Sequence, residues 1–182
     1  LFDPNWRFLK ADAPGAEVPD FDDTTWRLLD LPHDWSIEDL PQESNSVSPA
    51  PAPSPATGRR GRGRVNFPAV GPFSPQSPGG KDTGYTFGGT GWYRKHFVLD
   101  EQTIGKRVAI QFDGVYMDSD VWINGNHLGN HPYGYTAFAY DLTDFLNPPG
   151  QGNVLAVRVR NLGRNSRWYT GSGIYRHVAL RV

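Results

Sequence analysis

The 182 residues carry 18 Lys and Arg against 19 Asp and Glu, a net charge of −1 at pH 7, with 16 prolines, six tryptophans and no cysteine. That balance supplies no field to draw the chain to nucleic acid or an anionic membrane, and the missing thiols exclude disulfides, thiolate nucleophiles and cysteine metal sites. The length suffices for one domain with a sizeable core, no apolar run approaches the span of a bilayer, and aromatics at 13% suit a β-sandwich with amphipathic rings near its surface.

Leu1 to Trp6 has neither the basic nor the apolar region of a signal peptide, so export is either absent or its signal already removed. The expected compartment is the periplasm or the exterior, with the cytoplasm as the alternative. Phe21 to Trp26 offers a turn or two capped by Asp. Leu31-Pro32-His33-Asp34-Trp35 reads as a hydrogen-bonded loop anchor, with an ordered His-Asp pair as the functional alternative.

From Pro41 to Gly84 the composition changes: nine of the prolines lie there, followed within the stretch by Arg59-Arg60-Gly61-Arg62-Gly63-Arg64. Glu43 to Asn66 is expected to be a long Pro/Gly/Arg-rich surface loop, because such a segment cannot build a packed strand. Four arginines without interleaved aromatics favour a solvated loop over an RNA site. Gly79-Gly80-Lys81-Asp82 and Gly88-Gly89-Thr90-Gly91 lack the Gly-Lys-Ser/Thr ending of a phosphate loop. Trp92, inside Gly91 to Val98, is expected in the core.

In Arg107 to Phe112 the residues Val108, Ile110 and Phe112 share one face and Arg107 and Gln111 the other, the period-two pattern of a half-buried antiparallel strand. Asp118 and Asp120 fall on one face of a predicted strand about 7 Å apart. Two carboxylates projecting in parallel do not flank a scissile bond from opposite sides, so a solvated face or a domain contact is the better reading. Asn124-Gly125 predicts a β-hairpin through a type I′ turn. His127 and His131 mimic a metal spacing but would sit about 13 Å apart on an extended strand. Asp141 to Leu146 offers a second capped turn, stopped by Pro148-Pro149-Gly150. Asn153 to Arg160 turns Leu155, Val157 and Val159 inward and Arg158 and Arg160 outward, and Val178, Leu180 and Val182 mark a last strand. Many short strands without a long amphipathic helix predict an all-β sandwich or barrel.

Before that last strand, Ser166-Arg167-Trp168-Tyr169-Thr170-Gly171-Ser172-Gly173-Ile174-Tyr175-Arg176-His177-Val178 crowds aromatics, arginines and glycines as a surface meeting a sugar or another domain would. Arg167, Trp168 and Tyr169 are the expected substrate-binding residues. Ser172 has no evident His or Asp partner, so a nucleophilic triad is unsupported.

With Gly88 to Arg94 and Phe112 to Gly125, this stretch closely resembles the N-terminal sugar-binding domain of glycoside hydrolase family 2, in its β-galactosidase-like branch, over most of the chain outside the Pro-rich insert. The resemblance implies one jelly-roll β-sandwich of galactose-binding-domain-like type over residues 1–182, part of a longer retaining glycosidase. That family keeps its two catalytic glutamates in a later (β/α)₈ barrel, beyond an immunoglobulin-like domain. Glu17, Glu38, Glu43 and Glu101 all lack the family's Asn-Glu context, so no catalytic residue, metal site or cofactor is expected here, and the chain is expected to be inactive alone. Where the best-studied relatives place an Asn and an Asp toward the sugar, this chain has Gly88 and Arg167, so those two roles and any help to a sodium ion do not carry over. The partners implied are a β-galactoside-like carbohydrate, before β-glucuronides or β-mannosides, and the immunoglobulin-like and barrel domains. The alternatives are an autonomous carbohydrate-binding module and a purely structural docking domain.

Overall fold

The computed structural model describes residues 1–38, 86–162 and 170–182. Among them the strands are β1 (Trp6–Leu9), β2 (Arg27–Leu29), β3 (Gly89–Val98), β4 (Ala109–Phe112), β5 (Ser119–Ile123), β6 (Asn126–His131), β7 (Phe138–Asp141), β8 (Gly152–Asn161) and β9 (Val178–Arg181). They form two antiparallel sheets, ordered β2-β1-β3-β8-β5-β6 and β7-β4-β9. Trp6, Phe8, Tyr93, Val121, Leu155 and Val157 of the larger sheet meet Ile110, Phe112 and Val178 of the smaller in one core. The fold is an all-β jelly-roll sandwich, and no helix of the described residues is long and apolar enough to cross a membrane.

The alternation expected for β4 is present, with Ile110 and Phe112 buried and Gln111 turned away. Asn124 and Gly125 both have positive φ, 49° and 81°, and close the β5–β6 hairpin as the type I′ geometry requires. The capped turns are single turns: Asp22 Oδ1 accepts from the Thr24 amide at 3.0 Å, and Asp141 Oδ1 accepts from the Thr143 amide at 2.9 Å at the start of a 3-10 turn, Thr143–Phe145.

β8 differs from the half-buried expectation. β3 and β8 are buried on both faces, because the segment between β1 and β2 folds over the outside of the sheet and packs Ala13, Ala16 and Trp26 on Trp92 and Ala156. Arg94 fastens that cover. Its fully buried guanidinium donates to the carbonyls of Ala16, Val18 and Pro19 and meets Asp23 Oδ2 at 2.6 Å. Trp92 is therefore core as expected, stacked on Trp122 with ring centroids 5.4 Å apart. The insert expected over Glu43 to Asn66 lies outside the described residues.

Candidate functional site

The β3–β8 register pairs Gly89 with Asn161 and Val98 with Gly152, so the sandwich has two distinguishable ends. Ser119 pairs with Val159, which places the start of β5 and the finish of β6 at the Gly89 end. The described parts of the three sequence motifs that carry the family resemblance reach that end. The other end holds an open groove of about 430 Å³ lined by Leu99, Ile104, Lys106, Val108, Leu146 and Pro148, with no aromatic ring in its wall.

At the Gly89 end, residues 172–174 run as an extended segment between two neighbours. On one side the His33 amide donates to the Ile174 carbonyl at 2.8 Å and the Trp35 amide to the Ser172 carbonyl at 3.0 Å. On the other, Tyr116 and Gly173 exchange both backbone hydrogen bonds. Asp34 Oδ1 accepts from the amides of Ser36 and Ser172, each at 2.8 Å. The Ser36 hydroxyl lies 2.7 Å from the Ser172 hydroxyl and 2.9 Å from the Phe87 carbonyl, while Asn161 Nδ2 donates to Ser172 Oγ at 2.6 Å. Ser172 thus ties three chain segments together through its hydroxyl.

His33 is an anchor rather than half of a His-Asp pair. Its ring is buried, with Nδ1 2.7 Å from the Tyr93 hydroxyl and Nε2 3.0 Å from Glu38 Oε2. Arg27 Nη2 also lies 2.8 Å from Nε2. Burial lowers the imidazole pKa by more than Glu38 raises it, and raises the Tyr93 phenol well above its ordinary range. Burial also pushes Glu38 up, but hydrogen bonds from His33 and Arg27 bring it below the usual carboxylate value.

The remaining sequence candidates separate cleanly. Asp120 is enclosed by Arg158 Nη2 at 2.8 Å, Arg160 Nη2 at 3.0 Å and His127 Nε2 at 3.0 Å. Burial pushes its carboxyl up, but the hydrogen bonds from Arg158 and His127 hold it below the ordinary range. Asp118 is paired with Arg160 and Asn130. Neither carboxylate is free for acid-base work, so the expected solvated or contact face is a knitted ion-pair network. His127 faces Asp120, whereas His131 stacks on Phe138 and bonds Thr136, and no group of described residues could hold a metal ion. Gly88 has no room for a side chain, since a Cβ would overlap the Asn161 carbonyl. Arg167, Trp168 and Tyr169 lie outside the described residues, between Asn161 and Ser172, whose side chains are bonded to each other. Sequence reasoning missed Asn161 and Ser36: each is a lone polar residue whose partner lies far along the chain, and no local pattern marks it.

A family profile described as "Glycosyl hydrolases family 2, sugar binding domain" matches residues 2–182. The chain is 45% identical over 180 residues to the β-galactosidase BoGH2A of Bacteroides ovatus, covering 98% of this chain and 17% of that protein. It is 31% identical to a β-glucuronidase of Formosa agariphila, covering all of this chain and 16% of that one. Among solved structures, a glycosyl hydrolase family 2 member from Bacteroides cellulosilyticus superposes with a TM-score of 0.77 at 44% identity, over 99% of this chain and 20% of its own. The chain thus spans about a fifth or less of the length of these relatives. With this profile match over the whole sandwich, the chain belongs to the sugar-binding domain family of glycosyl hydrolases family 2.

Proposed function

We propose that this chain is the carbohydrate-facing and domain-docking module of a longer, retaining β-galactosidase-like glycosidase. It lends loops from the Gly89 end to the edge of the subsite for the nonreducing sugar, and bond cleavage is done by residues elsewhere in the polypeptide. The observation that carries this reading is the convergence at one end of the 31–36, 86–91 and 170–174 segments, stapled through Ser172. Arg167, Trp168 and Tyr169 lie in sequence between two members of that staple, Asn161 and Ser172, and are of the types a sugar needs, because its ring stacks C–H faces on aromatic planes and its hydroxyls need placed donors. Retaining hydrolysis needs two carboxyl groups about 5–5.5 Å apart on either side of the bond. Asp118 and Asp120, the nearest approach to a pair in the sequence, are already held by arginines. The immunoglobulin-like and barrel domains are the docking partners on this reading.

The test is steady-state kinetics of the full-length protein on β-galactosides and β-glucuronides, beside calorimetric titration of the 182-residue chain with galactose and lactose. Arg167→Ala in the full-length protein is expected to lower kcat/KM on the preferred sugar about tenfold or more, the worth of a charge-assisted hydrogen bond. Unchanged efficiency sinks the subsite role and leaves docking alone. Saturable heat with the 182-residue chain, abolished by Trp168→Ala, replaces the shared subsite with an autonomous binding module.

A further inference from the structure

Two aromatic side chains at the Gly89 end are absorbed by nothing described so far. Tyr133 and Tyr135 follow β6 and are 57% and 48% exposed, with ring centroids 5.6 Å apart and planes inclined at 62°. Behind them Tyr116, only 3% exposed, meets Tyr135 edge to face at 5.4 Å and shares a hydrogen bond with it. Tyr175 donates its hydroxyl to the carbonyl of Gly134 at 2.8 Å, and a Cβ on Gly134 would overlap the Tyr116 ring. The two exposed rings therefore stand on a supported base at an open corner. Through the Tyr116–Gly173 bridge that base is continuous with Ser172 and the 33–35 segment.

We propose that Tyr133 and Tyr135 form a second carbohydrate subsite, which stacks one pyranose ring of an oligosaccharide beyond its terminal sugar. The proposal rests on the reading of this end as sugar-facing and extends it to longer substrates. Held rings lose little further freedom when a ligand arrives, which removes part of the usual cost of binding. A pyranose offers a C–H face to one ring and hydroxyls to the phenol of the other, and Tyr supplies both an apolar face and a polar tip. The surroundings are polar: Asp118 with Asn130, His131 with Thr136, and the exposed Arg176 over Tyr175. No large aliphatic side chain between residues 113 and 137 is exposed, whereas Leu28, Ile37, Val98, Ile104 and Leu162 are exposed elsewhere. The corner is therefore aromatic and polar, with only Pro132 and Ala137 as exposed aliphatic residues.

The experiment compares the full-length protein with its Tyr133→Ala and Tyr135→Ala variants on a β-1,4-galactotetraose and on an aryl β-galactoside with one sugar. The ratio of the two efficiencies, tetraose over aryl galactoside, is expected to fall about two- to tenfold in each variant, the range of one aromatic stacking contact, with Tyr133→Phe retaining most of it. An unmoved ratio overturns the proposal. So does an equal loss on both substrates with a lowered melting temperature, which assigns the rings to a seam with the rest of the polypeptide. If the wild type cleaves neither substrate, the galactosidase reading fails by itself, and calorimetric titration of the tetraose then decides: saturable binding weakened by Tyr133→Ala upholds the subsite, and no binding overturns it.

Discussion

A methyl group at position 171 has nowhere to go, because it would overlap the Asp34 carboxylate that holds the Ser172 amide. Gly171→Ala is therefore expected to destabilise the protein by about 1–3 kcal/mol, as overpacking does, read as a lower urea midpoint with an unchanged m-value. His33 gives the same frame a dependence on pH. Its folded pKa lies below the unfolded value of 6.5, so the unfolded chain takes up a proton first as pH falls. Stability contributed at this position is thus present above 6.5 and is lost as pH falls from 6.5 through the lower folded value. Glu38, also lowered, adds a further loss as pH falls below 4.5 through its folded value. Urea midpoints at pH 7.5 and 5.5 are expected to differ in the wild type and to converge in His33→Gln; equal slopes in the two proteins would assign the acid response to other groups.

At the scale of elements, the cover between β1 and β2 depends on one side chain. Arg94 bonds four carbonyls of that segment, Phe21 being the fourth, and Asp23, and Asp23 in turn meets His96 at 2.7 Å and Arg7 at 3.6 Å. Arg94→Met leaves Asp23 without its main partner, and breaking a buried pair from one side costs about 3–5 kcal/mol. The expected readout is a large fall in the urea midpoint together with rapid hydrogen exchange of the amides of residues 13–23. Exchange that remains slow would show the cover held by Trp26 and Phe21 packing instead. The sequence signals for β4, β8 and the β5–β6 hairpin were legible because each rests on a local rule, alternation or positive φ at Asn124-Gly125. β1, β2 and β7 were not: β2 has only three residues, and Phe8-Leu9 and Phe138-Ala139-Tyr140 set apolar residues side by side and blur the period. The second buried face of β3 was hidden for another reason: Trp92 and Arg94 alternate with Tyr93 and Lys95, and nothing local says that a segment some 70 residues away covers them.

For the molecule as a whole, the described parts of the motifs that carry the resemblance converge at one end, while the frame behind them had no sequence signal. Ser172 pairs with Ser36 across 136 residues, and that separation is invisible to any window of sequence. The same is true of Asp120, whose two arginines come from β8 and convert an apparent catalytic pair into a structural clasp. Asp3 carries this furthest: its carboxylate accepts from the Val178 amide and meets His177, so the opening residues seal β9 into the smaller sheet across 175 positions. A ribosome adding about 5–20 residues per second releases Asp3 roughly 10 to 35 s before it can supply Val178. Through that interval β4 and β7 stand without β9, so the Asp3 carboxylate and the Phe2 amide wait for the strand that closes the smaller sheet over Trp6 and Phe8.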